Sequence, residues 1–121
     1  MQFPESDLAA LTAAKEIEIE TRSAGGVVHR TIIWVVARDG IVYVRSVHGS
    51  GARWYREAIG DPSIALHVGG RRLAARAAPA ADAASVEACS AGLRAKYRPS
   101  GSLDLMLADA VLPTTLRVQP A

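Results

Sequence analysis

The chain has 121 residues, half of them hydrophobic, with fourteen basic and twelve acidic side chains and a net charge of +2. A chain of this length buries roughly two-thirds of its unfolded surface, so residues 1–121 fit one packed domain that needs neither metal nor disulfide. Cys89, the single cysteine, has no intrachain partner, which leaves disulfide-stapled folds out. The near balance of charge argues against a strongly basic nucleic-acid module, and no apolar run is long enough to cross a bilayer. The acids in MQFPESDLAAL do not suit a secretory leader, so the cytoplasm is the expected compartment. Arginine far outnumbers lysine, and its planar fork suits a phosphate or carboxylate on a small ligand.

In chain order, Ser6 or Asp7 is expected to cap a short helix through Leu8 and Leu11. KEIEIETR then alternates Ile17 and Ile19 with Glu16, Glu18 and Glu20, the pattern of a half-buried strand. After a Gly25-Gly26 turn, VVHRTIIWVVA (27–37) reads as one long strand. Asp39-Gly40 is a two-residue hairpin signal, and IVYVRSV is the returning strand. Residues 53–59 read as a short helix stopped by Gly60 and Pro62. SIALHV, a Gly69-Gly70 turn and RRLAARA form a second hairpin. The alanine-rich ADAASVEACSAGLRAKY is a helix with Asp82 near its start and Val86, Leu93 and Tyr97 on one stripe. LDLMLADA supplies a further helical turn or two, and TTLRV closes the chain as a strand. About six strands joined by tight turns impose antiparallel pairing, so the expected class is mainly β or α+β, a small barrel with flanking helices.

The Asp39-Gly40 turn predicts Arg38 opposite Ile41 and Val36 opposite Tyr43. Continued outward, it predicts Trp34 opposite Arg45, Ile33 opposite Ser46 and Thr31 opposite His48. Trp34 with Arg45 then reads either as a cross-strand cation–π pair or as a ring-and-phosphate site. Thr31, Ser46 and His48 read either as strand-end hydrogen bonding or as ligand contacts. In the second hairpin Leu66 faces Leu73 and His67 faces Arg72, which places His67 on the wet face as a solvated histidine. Glu16, Glu18 and Glu20 read as the solvated side of a strand, and Cys89 as a small buried thiol. His29, His48 and His67 lie on separate segments without the close spacing of metal ligands. No nucleophile elbow, phosphate-binding loop or dinucleotide fingerprint is present.

The run RTIIWVVARDGIVYVRSVHGSGARWYREAIGDPSIALHVGGRRLAARA, with RAKY and TLRV following in order, resembles the flavin- and deazaflavin-binding split β-barrels. That group holds deazaflavin-dependent nitroreductases and, more distantly, pyridoxamine-phosphate oxidases. Arg30-Thr31 ahead of a long strand, the serine after its partner strand, Trp54-Tyr55 with Asp61-Pro62 following, and a hairpin ending in GGRR carry the likeness, which is nearest to an uncharacterised bacterial branch. The resemblance implies a six-stranded antiparallel split barrel with flanking helices and a cofactor, FMN or a deazaflavin coenzyme, lying along its wall. It implies a cofactor site at Arg30, Thr31, Arg45, Ser46, His48 and Trp54, and a homodimer whose second subunit completes it. Three features depart from the nitroreductase pattern. SAGGVVHR lacks the lysine ahead of the matching arginine, Ile32 stands where proline is usual, and no aromatic residue follows Tyr97. Two functions follow as expectations: a flavin- or deazaflavin-dependent oxidoreductase acting on a small organic acceptor, or a non-catalytic module that binds or carries a flavin or another aromatic anion.

Overall fold

The structure, a computed structural model, describes residues 1–121. Pro4 leads into α1 (Glu5–Ala13), which has no side-chain cap. Ser6 and Asp7, expected as caps, lie inside the helix, because the fixed proline backbone of Pro4 already sets the entry two residues before Ser6. β1 (Ile17–Arg22) and β2 (Val28–Ile33) pair antiparallel, with Ile17 opposite Ile33 and Arg22 opposite Val28. The chain then leaves this pairing at Trp34 and Val35 and re-enters the sheet as β3 (Val36–Arg38), paired with β4 (Ile41–Val44). Asp39 and Gly40, with φ of 53° and 78°, make the tight turn and hold Arg38 opposite Ile41 and Val36 opposite Tyr43, as the sequence predicts.

Beyond Val36 the expected register is corrected. Trp34 does not oppose Arg45, nor Ile33 Ser46, nor Thr31 His48, since Ile33 lies opposite Ile17 and Thr31 opposite Ile19. The cause is burial on β1: Ile17, Ile19 and Thr21 face inward and take His29, Thr31 and Ile33 as their same-face neighbours. One apolar segment thereby serves two different strands.

β5 (Ser63–Val68), β6 (Arg71–Pro79) and β7 (Leu116–Pro120) complete a seven-stranded antiparallel sheet in the order β2-β1-β5-β6-β7-β4-β3. The expected count of six becomes seven because the long strand is divided. Its two edge strands are separated in the chain only by Trp34 and Val35, so the sheet curls into a half-barrel that brings its ends together. Inside lies the larger core, including Leu11, Ile19, Val44, Trp54, Leu66 and Leu116. α2 (Arg53–Gly60) contributes Trp54 and Ala58 to it.

A second core forms outside the sheet. There α3 (Ala83–Lys96) and α4 (Gly101–Leu107) pack Cys89, Leu93, Leu103 and Met106, together with Tyr97 just beyond α3, against Val36 and Tyr43. Asp82 caps α3 by accepting from the Ser85 amide. Gly92 lets α3 approach β3 closely, since a Cβ there would lie 3.1 Å from Val36 Cβ and Arg38 Cγ. A 3-10 turn, Asp109–Thr114, leads into β7. No helix is long and apolar enough to cross a membrane.

Candidate functional site

The break between β2 and β3 puts Trp34 at a seam, where it lines two cavities. The first, a groove of about 290 Å³, takes Thr31 and Ile32 from β2, Val47 and His48 from the loop after β4, Trp54 from α2 and Met106 from α4. The second, about 650 Å³, shares Trp34 and Ser102 with the groove and adds Thr12, Lys15, Lys96, Tyr97, Arg98 and Ser100. Trp34 stacks on Tyr97 at a centroid distance of 3.9 Å with the planes 6° apart, so its indole is held by a ring that belongs to the second core. Tyr97 is itself fixed: its hydroxyl donates to Lys15 O at 2.6 Å and accepts from the Val35 amide at 3.3 Å. Burial pushes that hydroxyl up to about 12, with the Val35 hydrogen bond opposing and Glu16 reinforcing, so it stays a neutral donor.

Of the six residues that the sequence assigns to a cofactor, the structure gathers Thr31, Arg45, His48 and Trp54 on the groove, while Arg30 and Ser46 do not line it. Arg30 is exposed on the outer face of β2 and pairs with Glu18 at 2.8 Å. Ser46 serves the backbone, its hydroxyl donating to Gly49 O at 2.7 Å and its amide to Thr114 Oγ1 at 3.0 Å.

Arg45 is only 2% exposed and sits at the groove floor. Its Nε donates to Thr115 Oγ1 at 2.9 Å, Nη1 to Ser90 Oγ at 3.0 Å and Met106 O at 2.9 Å, and Nη2 to Val86 O at 3.0 Å. These bonds sew β4 to α3, α4 and the segment before β7. Burial lowers its pKa, with smaller opposing contributions from Cys89 and Glu87. The expected cation–π partnership with Trp34 is replaced by the Tyr97 stack, and the cation near that stack is Lys96, 5.5 Å from the Tyr97 ring centre.

Trp54 is 6% exposed, so it is a core residue that also forms a groove wall. His48, by contrast, is exposed, and its ring makes no hydrogen bond within the chain, leaving both nitrogens available. Thr31 Oγ1 accepts from Arg53 Nη2 at 3.3 Å, which brings to the groove rim a half-exposed guanidinium outside the six residues assigned to a cofactor.

Two polar clusters were also not legible beforehand. Glu57 on α2 accepts from the Thr21 hydroxyl at 2.8 Å and holds His29 Nδ1 at 3.1 Å from both its oxygens. Its desolvation, which raises the pKa, is outweighed by Thr21, His29 and Arg53, so the carboxyl lies below its ordinary range. Glu20 binds His67 Nε2 at 2.8 Å and takes both Nε and Nη2 of Arg72, at 3.1 and 2.8 Å. The Arg72 hydrogen bond, against desolvation and aided by His67, holds Glu20 at about 2. His67 is therefore an ion-pair member with a side chain 15% exposed, which corrects its reading as a solvated histidine. Glu20 is likewise engaged rather than idle on a wet face. Cys89 is buried, and burial pushes its thiol up to about 11 against the pull of Arg45, which suits a packing role.

A curled antiparallel half-barrel with α3 and α4 packed outside, and a groove at the seam between its edge strands, is a split-barrel fold. The chain superposes on the heme storage protein HutZ of Vibrio cholerae with a TM-score of 0.74, at 13% identity, covering 100% of this chain and 92% of that one. A NimC/NimA family protein from Clostridium acetobutylicum matches with a TM-score of 0.68 at 16% identity, covering 97% and 78%. A Listeria innocua protein described as a candidate pyridoxamine 5′-phosphate oxidase matches at 0.68 and 11% identity, covering 96% and 91%. Such identities establish the shared fold and leave function to the site. No curated protein matches the chain. Residues 7–118 match the family described as "Uncharacterized protein conserved in bacteria (DUF2255)", and the chain belongs to that family.

Proposed function

We propose that the chain binds the ring of FMN or of a deazaflavin coenzyme in the Trp34 groove and uses the reduced cofactor to pass a hydride to a small organic acceptor. The observation that carries this reading is the convergence of Thr31, Trp34, His48 and Trp54, from three separate stretches of the chain, on one groove of a split-barrel fold. Small-molecule pockets run from about 300 Å³ upward, so a groove of this size suits a flat ring with its tail lying outside. The indole of Trp34, clamped by Tyr97, offers an oriented aromatic surface to that ring. Arg53, beside Thr31 at the rim, is the guanidinium placed to take the phosphate, because Arg45 is committed within the protein and Arg30 to Glu18. The cofactor supplies the hydride, and the chain's part is to bind, orient and, at His48, hold a proton within reach.

A second copy of the chain is part of this proposal. Val28 and Ile32, 46% and 63% exposed, lie on edge strand β2, and Ile32 also lines the groove. An apolar edge strand of this kind is covered in a homodimer, which would deepen the groove. Sedimentation of the wild type and of Val28→Asp tests it: the expected result is a dimer that dissociates on substitution.

A second reading, a flavin or aromatic-anion carrier without turnover, is favoured by the internal commitment of Arg45 and Ser46 and by the lack of any aromatic residue after Tyr97. The two readings separate on reoxidation of bound, reduced cofactor by a panel of nitroaromatics and quinones. Acceleration over free cofactor supports the enzyme. Equal rates with saturable binding support the carrier.

A further inference from the structure

The 650 Å³ cavity beyond Trp34 has a chemistry of its own. Every charged side chain lining it is a cation: Lys15, Lys96 and Arg98. Among these, Lys96 is half-buried and already donates to Leu11 O at 3.0 Å and Val35 O at 2.7 Å, which fixes its ammonium in place. Lys15 and Arg98 make no ion pair within the chain, unlike Arg30, Arg71 and Arg72. The remaining polar groups are also donors. Ser100 Oγ accepts from the Leu103 amide and so keeps its hydroxyl proton to give, and the Trp34 indole N–H has no partner in the chain. Glu16, next to Lys15 in the chain, lines the neighbouring groove and not this cavity. Cationic and hydrogen-bond-donating groups beside a stacked aromatic pair, in a cavity that no carboxylate lines, are complementary to a flat molecule that carries a negative group.

We propose that this cavity is a binding site for a small aromatic carboxylate, its ring against the Trp34–Tyr97 wall and its carboxylate between Lys15 and Arg98. As a binding site it stands without the cofactor and is independent of the flavin reading. The chain thereby selects anionic over neutral aromatic molecules.

The test uses the full chain and 2-naphthoate as probe, with 2-naphthamide as its neutral counterpart, followed by naphthyl fluorescence. The expected result is saturable binding of the acid, at least about tenfold weaker binding of the amide, and at least about tenfold weakening of the acid in the Lys15→Ala/Arg98→Ala double variant. Both substituted side chains are exposed, and an unchanged far-ultraviolet spectrum confirms that the variant folds. FMN affinity is expected to be the same in that variant and to fall instead in Arg53→Ala, so a failure here and a failure of the flavin reading are told apart. Equal affinity for acid and amide, indifference to the double variant, or no saturation below about 5 mM would each overturn the site. Loss of FMN together with naphthoate in the double variant would also overturn it, by making the cavity part of the cofactor site.

Discussion

Arg45 lines the groove and Arg53 reaches Thr31 at its edge, yet the two are put to opposite uses. Arg45 is enclosed by Ser90, Thr115 and the carbonyls of Val86 and Met106, and its guanidinium becomes a brace between β4 and the outer helices. Arg53 touches only Thr31 at 3.3 Å and Glu57 at 3.9 Å, and half of its side chain is exposed. The role of each arginine is decided by how many acceptors its surroundings offer, because a buried donor left without one costs about 1–3 kcal/mol. The indoles repeat the contrast: Trp54 closes the core, whereas Trp34 stands at the seam with one ring neighbour.

The contrast is sharpest where stability is read. Trp54→Ala is expected to lower unfolding free energy by about 3–5 kcal/mol, while Trp34→Ala, only partly buried, lowers it by much less and acts on ligand binding; urea unfolding of both variants checks this. Arg45→Ala is expected to cost about 3 kcal/mol, with Arg45→Lys recovering little, since one ammonium cannot span four acceptors on three segments. An unfolding midpoint unmoved by Arg45→Ala would break the comparison at its root.

On the open side, Arg53→Ala is expected to leave stability within about 0.5 kcal/mol and to weaken FMN by about 1.5–3 kcal/mol, read by titration. A further effect appears in acid. Glu20 titrates at about 2 in the fold against an ordinary value of 4.5, so its ion pairs add stability that is whole above about pH 4.5 and lost as the pH falls toward 2. Glu20→Gln should therefore be less stable than wild type at neutral pH, and the difference should shrink over that window.

How much of this was readable in advance depends on how local the cause is. The Gly69-Gly70 turn, with φ of 53° and 78°, fixes a two-residue hairpin, and the pairs Leu66–Leu73 and His67–Arg72 followed from it directly. The partner of His67 did not, because Glu20 arrives from β1, a strand far away in sequence. The 27–37 run concealed its break for a related reason: both halves are apolar and extended, and the only local sign is that Val35 and Val36 are buried side by side in different cores. Once the register ended at Val36, the pairs involving Arg45, Ser46 and His48 could not form as expected. Thr31, His48 and Trp54 still reached one groove, since the loop and α2 carry them there by another route. Lys15 and Arg98 gave no sequence signal at all, being joined only by the packing of Tyr97 beneath the loop between α1 and β1.

Trp34, as the platform for a bound ring, is the central element of the proposed site. Quenching of tryptophan fluorescence during titration with FMN, and separately with a deazaflavin coenzyme, tests it in wild type and Trp34→Ala. One of the two ligands should saturate the wild type below roughly 100 μM, with at least about tenfold weaker binding in the variant. No saturation with either ligand, or equal affinity in both proteins, would contradict it.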